Sequence, residues 1–182
     1  LATGWSQRGH PDGGRPWDQG SKALSADELK PRDAWHSRFM PSGAMVAGRV
    51  DRLHWMTFGT PETLPLLYSE QPPLMTKGRQ QSVVRVGALQ ADTDTTEAAT
   101  LNWSTTPRGK ALSVRMSGLL WPEAAARIAN SAYVTRERVG KGQVILFSGQ
   151  PNFRGSTRGV GRIWLNTLVY GPGLGTSARI EL

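Results

Sequence analysis

The chain has 182 residues, 38% apolar and 20% charged, which is the length and apolar content of one domain with one sizeable core and excludes a pure linker or tail. It contains no cysteine, so a disulfide, a thiolate nucleophile, an iron–sulfur centre and a cysteine-ligated zinc are all excluded. The formal charge of +8 is uneven: residues 1–104 carry 11 basic and 11 acidic side chains, whereas residues 105–182 carry 11 basic against three acidic, Glu123, Glu137 and Glu181. That surplus favours anionic partners through long-range attraction. The basic residues are scattered rather than clustered and aromatic content is 8%, which fits a basic surface better than a nucleic-acid face. No apolar run approaches the roughly 20 residues that span a bilayer as a helix. A chain beginning at Leu1 reads as a processed piece or fragment of something longer.

In chain order, residues 1–30 are rich in glycine, proline and polar groups and read as an extended arm, with Trp5 and Trp17 able to pin it to a body at 31–182. Ser25 with Asp27 and Glu28 suits the start of a short helix that Pro31 limits, and PRDAWHSRF supplies one or two further helical turns. Ala44 to Val50 reads as a strand. HWMTFGTPETLPLLY follows as a loop leading into a strand at Leu64 to Tyr68, and Pro72-Pro73 interrupts regular structure. Ser82 to Leu89, with three valines, is the next strand. The segment QADTDTTEAAT favours turns at an exposed or mobile stretch.

Ala111 to Met116 predicts another strand, and Pro122 opens a short alanine-rich helix. Tyr133 to Val139 and Gln143 to Ser148 flank the glycines of VGKG and predict a β-hairpin. Val144 to Phe147 is apolar without alternation, as for a strand covered on both faces. Thr157 to Tyr170 has helical spacing and is expected to stop before Gly171. A strand, a polar loop and a terminal helix together suggest an α/β domain.

Candidate chemistry centres on the loop SGQPNFRGSTRG, residues 148–159. In such a domain it lies beyond the carboxyl end of a strand, where ligands bind. Gln150, Asn152, Arg154 and Arg158, with amides at the helix start, are the candidate ligand-binding groups for an anion such as a carboxylate; the alternative is a structural loop plugged by Phe153. The glycines match no phosphate-binding spacing. His54, near Asp51, is the remaining candidate as a general base, against the alternative of a buried structural histidine. Asp92 and Asp94 suit a carboxylate pair for acid and base work or a site for a hard cation such as calcium, although their threonine-rich surroundings fit a solvated loop better. No serine, histidine and carboxylate form a catalytic set, and His10, His36 and His54 lack metal-motif spacing, so no catalytic and no metal residue is assigned.

The segments DRLHWMTFGTPETLPLLY and SGLLWPEAAARIANSAYVTRERVGKGQVILFSGQPNFRGSTRGVGRIWLNTLVYGPG resemble the C-terminal region of large secreted zinc carboxypeptidase-like proteins of the M14 peptidase family. In these, a domain similar to class I glutamine amidotransferases follows the peptidase domain. The resemblance implies a mostly parallel central sheet with flanking helices and a late hairpin, flavodoxin-like, or part of that fold. It implies zinc only in a separate peptidase domain, since no histidine here is followed by glutamate at the family's spacing. Where amidotransferases carry histidine, proline and glutamate, the similarly placed loop reads Gln150, Pro151, Asn152, and no cysteine is available. The implied function is a non-catalytic accessory or substrate-positioning domain, extracellular or periplasmic. Its partners would be the peptidase domain of the same parent protein and a peptide or other acidic ligand. The alternatives are a hydrolase using His54 and the Asn152–Arg154 loop, and a basic module binding nucleic acid or another anion.

Overall fold

A computed structural model describes residues 25–174 apart from 77, 95, 96 and 103. The expected arm up to residue 24, with Trp5 and Trp17, and the tail from residue 175 lie outside the described residues. Helix α1 (Ala26–Ser37) begins inside the stretch expected as arm. Its start is a reciprocal cap: the Glu28 amide donates to Ser25 Oγ at 3.3 Å, and the Ser25 amide donates to Glu28 Oε2 at 2.8 Å. Pro31 does not limit the helix as expected. Its missing N–H orphans the carbonyl of Asp27, an exposed residue, where water serves as donor. The helix then docks on α2 (Pro122–Ile128), where Arg127 grips Asp33 through two bonds of 2.7 and 3.2 Å.

The body is one six-stranded sheet in the order β10-β9-β3-β1-β2, with β8 pairing the remaining part of β1. The strands are β1 (Ser42–Val50), β2 (Thr63–Ser69), β3 (Gln81–Val86), β8 (Arg115–Ser117), β9 (Ala132–Val139) and β10 (Gly142–Phe147). Every pairing in it is antiparallel. The expectation of a mostly parallel, flavodoxin-like sheet is therefore wrong. Parallel neighbours require a crossover, usually helical, and α2 is the only α-helix between two strands of this sheet among the described residues. The terminal helix follows a hairpin and crosses over nothing. Two two-stranded ribbons complete the architecture: β4 (Ala88–Ala91) with β7 (Lys110–Ser113), and β5 (Ala99–Leu101) with β6 (Ser104–Thr106).

The expected strand at Ser82 to Leu89 is split at Gly87, whose φ of +99° is open to glycine at little cost. A Cβ there would also lie 2.7 Å from Leu112. The chain leaves the sheet at this point and enters the β4–β7 ribbon. The expected hairpin is present as β9 and β10, but β10 is an edge strand rather than one covered on both faces. Val144 and Leu146 are exposed while Ile145 and Phe147 turn inward. The apolar run VILF thus alternates in burial although not in composition.

Helix α3 (Arg158–Leu174) lies over the sheet face that carries the fully buried Leu64, Leu66 and Tyr68. Gly159 permits this approach, because a Cβ there would sit 2.5 Å from Leu64. Val160 and Ile163 enter the core, and Asn166 Nδ2 donates to the carbonyls of Met56 and Phe58 at 2.8 and 2.9 Å. That bond pair clamps the 3-10 turn Trp55–Thr57, in the connection between β1 and β2, to the helix. The helix overruns its expected stop before Gly171 and continues to Leu174. The carbonyl that Pro172 leaves without a donor belongs to exposed Leu168 and faces water.

Replacing Asn166 by Leu keeps the branched shape and the number of side-chain heavy atoms and removes both N–H donors to the Met56 and Phe58 carbonyls. The variant is expected to lose roughly 2 kcal/mol of stability, measured by urea denaturation. A loss below a few tenths would mean that the clamp contributes nothing.

Candidate functional site

The loop after β10 is tied down at its start. The Ser148 amide donates to Tyr133 O at 2.8 Å and its hydroxyl to Pro72 O at 3.1 Å. Gly149 lies against the Tyr133 hydroxyl, where a Cβ would approach to 2.6 Å. Gln150 is exposed. Asn152 to Gly155 form a short 3-10 turn that points into solvent, with Arg154 at a φ of +48° and its guanidinium carbon 5.2 Å from the centre of the Phe153 ring. Phe153 is 39% exposed and does not plug the core. Arg158, also exposed, opens α3 behind the buried Thr157. Gln150, Asn152, Arg154 and Arg158 are thus all exposed.

Burial pushes the hydroxyls of Tyr68 and Tyr133 up to about 12. Tyr133 Oη donates to Leu67 O at 3.2 Å, and the two rings lie 6.4 Å apart. Both groups stay protonated at any ordinary pH and are built into the core.

His54 belongs to another part of the molecule. The turn it precedes is held by Asn166, eight residues and about 12 Å of helix axis beyond Arg158. Its Nδ1 accepts the Met56 amide at 3.2 Å, so the imidazole caps the 3-10 turn, and it stacks at 5.4 Å on Trp55. Burial holds its pKa below the ordinary value, against the opposing pull of a hydrogen bond to Gln81 and the charge of Asp51. Asp51 accepts the Leu53 amide at 3.1 Å and so organises its own turn. From Gln81 a polar chain runs on: Arg136 donates to Gln81 at 3.0 Å and to Gln143 at 2.9 Å, and Gln143 donates to Gly171 O at 3.2 Å. The chain crosses β3, β9 and β10 and ends on α3. Asp92 and Asp94 form a local turn, with the Asp94 amide donating to Asp92 at 3.0 Å. Among the described residues, no three histidine, aspartate or glutamate side chains are grouped to hold a metal ion.

A feature missed in the sequence is the arginine pair Arg49 and Arg85, directly opposite each other on β1 and β3. Each lies in a strand between residues with no polar side chain, GRV in β1 and VRV in β3, and that repeated pattern was the available signal. Both guanidinium groups are half-buried and converge on Asn130.

Comparison with family models, curated proteins and solved structures finds no match. No helix of the described residues is long and apolar enough to cross a membrane.

The His54 geometry generates a pH prediction. With the folded pKa below the unfolded one, the unfolded chain takes up a proton first as pH falls below the ordinary value near 6.5, and the fold is destabilised from there down to the folded pKa. His54→Asn retains a side-chain oxygen for the Met56 amide and does not titrate. The variant is expected to show a flatter stability profile than the parent between pH 7 and 5, measured by denaturation at each pH. Parallel profiles would remove His54 as a contributor.

Proposed function

We propose that the chain is a non-catalytic accessory or substrate-positioning domain that packs against a zinc metallocarboxypeptidase domain elsewhere in a secreted parent protein. The observation that carries this reading is the outer face of α3. Leu165, Leu168 and Val169 are 49, 56 and 68% exposed on a helix whose opposite face already fills the core. Phe58 and Tyr170 meet edge to face at 6.0 Å on the Asn166 side of the helix, with both rings partly in solvent. Apolar groups gathered in this way mark a surface that another protein covers.

Two further observations support it. The groups with catalytic potential are occupied structurally, His54 as a cap and the two tyrosines as core. The resemblance of residues 51–68 and 117–173 to the C-terminal region of carboxypeptidase-like proteins rests on sequence alone, and the mostly parallel, amidotransferase-like scaffold it implies is not the one this chain forms. On this reading zinc belongs to the peptidase domain and the present chain contributes surface.

The test is association between this chain and the separately expressed peptidase domain, measured by calorimetry. Leu165→Asp with Val169→Asp is expected to weaken binding at least tenfold while the isolated chain still folds cooperatively with a modestly lowered melting temperature, since both side chains are about half exposed or more. Absence of binding by the unsubstituted chain, or equal binding by the variant, overturns the proposal.

A further inference from the structure

Arg49 and Arg85 are cross-strand partners, so their side chains leave the same face of the sheet, and like charges so placed repel. They are nevertheless drawn together. Arg49 donates to Asn130 Oδ1 at 2.7 Å and Arg85 to Asn130 O at 3.0 Å. Arg49 also reaches Gly87 O at 2.9 Å and Val86 O at 3.5 Å, and Arg85 reaches Thr76 Oγ1 at 3.1 Å. Asn130 is itself fixed, buried at a φ of +59°, its amide donating to Val86 O at 3.0 Å and its Nδ2 to Ser104 O at 3.2 Å.

Every one of these acceptors is uncharged. Neither arginine meets a carboxylate within ion-pair distance among the described residues, in contrast to Arg127, which pairs with Asp33. Two guanidinium groups bring roughly ten N–H donors, while the described residues supply five acceptor atoms. Burial lowers the affinity of both groups for their protons, and for Arg49 the charge of Arg85 adds to the effect. Among the described residues, two neighbouring positive charges are therefore held at a half-buried position, oriented by neutral atoms and not met by a carboxylate.

We propose that Arg49 and Arg85 form a binding site for a single oxyanion group, a carboxylate or a phosphate, taken by the guanidinium donors left over from Asn130, Gly87 and Thr76. Arginine's planar fork suits such a group, and one bound anion both offsets the repulsion and uses the spare donors. This site is separate from the outer face of α3, and its existence does not rest on the accessory-domain reading.

The experiment titrates the chain with inorganic phosphate and, separately, with acetate, each against sodium chloride at matched ionic strength. It follows the melting temperature and the arginine Nε–H resonances. At least one oxyanion is expected to raise the melting temperature above the chloride control with an apparent Kd in the millimolar range or tighter, and to shift the Arg49 and Arg85 resonances while exposed Arg138 stays put. Arg85→Gln is expected to weaken that binding at least tenfold, and Arg138→Gln to leave it unchanged. The relative response to phosphate and acetate identifies the preferred oxyanion. Equal behaviour in phosphate, acetate and chloride overturns the site, as does a response that Arg85→Gln retains. If Arg85→Gln does not fold, the resonances of the unsubstituted chain decide between the same two outcomes.

Discussion

Strand β1 has to satisfy partners on both edges, and the way it does so organises the rest of the molecule. One edge pairs with β2 along almost its whole length, from Ser42 to Arg49. The other is divided, with Gly48 to Val50 pairing β3 and Met45 and Val46 pairing β8. Ala47 is the change-over residue: its carbonyl accepts the Gly87 amide at 2.6 Å and its amide donates to Val114 O at 2.8 Å. Division of the edge requires β3 to leave, and Gly87 permits the departure through its left-handed backbone. Were β3 to continue straight, β8 would have no edge to join, and the ribbon of β4 and β7 would not form. The same register places Arg49 opposite Arg85, immediately beside the carbonyls that the turn at Gly87 exposes to them.

Local elements were legible where side-chain pattern and backbone chemistry agree. The hairpin of β9 and β10, the strands at β1 and β2, the short helix α2 and the body of α3 follow from turn glycines, branched residues and helical spacing. Errors arose where an isolated residue was given more authority than its surroundings. Pro31 and Pro172 remain inside helices because the carbonyls they orphan are at the surface. The run Val144 to Phe147 was read as doubly covered, whereas an edge strand next to solvent exposes half of the same apolar side chains. Sheet direction was not legible at all. It depends on which strands become neighbours, and β3 pairs with β1 and β9, strands separated from it by long stretches of chain.

For the candidate sites, the sequence marked residues by chemical type and missed them by placement. His54 attracted notice as a rare titratable group, yet its ring nitrogen is used by the backbone two residues on. The loop Gln150 to Arg158 was expected to sit above a parallel sheet, and without that sheet its arginines stand exposed. Arg49 and Arg85 are not singled out by residue type, because nothing in the order of residues shows that two strands will set arginines 36 positions apart face to face. The repeated pattern of arginine followed by valine as the last two residues of a strand becomes informative only with register.

Helix α3 shows why its outer face calls for an explanation beyond folding. Its inner contacts are complete: Val160 and Ile163 in the core, Asn166 on the 3-10 turn, and Gly171 against Trp55 and Gln143. Leu165, Leu168 and Val169 add little to that packing, since each is about half exposed or more. Helix propensity does not require them either; lysine or glutamate would serve at those positions about as well as leucine and better than valine. Burial of such a side chain is worth about 1.5–3 kcal/mol when water is fully removed from it, so the isolated chain forgoes much of that stabilisation at three neighbouring positions. A second surface laid across them would recover it. The helix is thus seated by one face, while the other carries apolar side chains that its own packing leaves about half exposed or more.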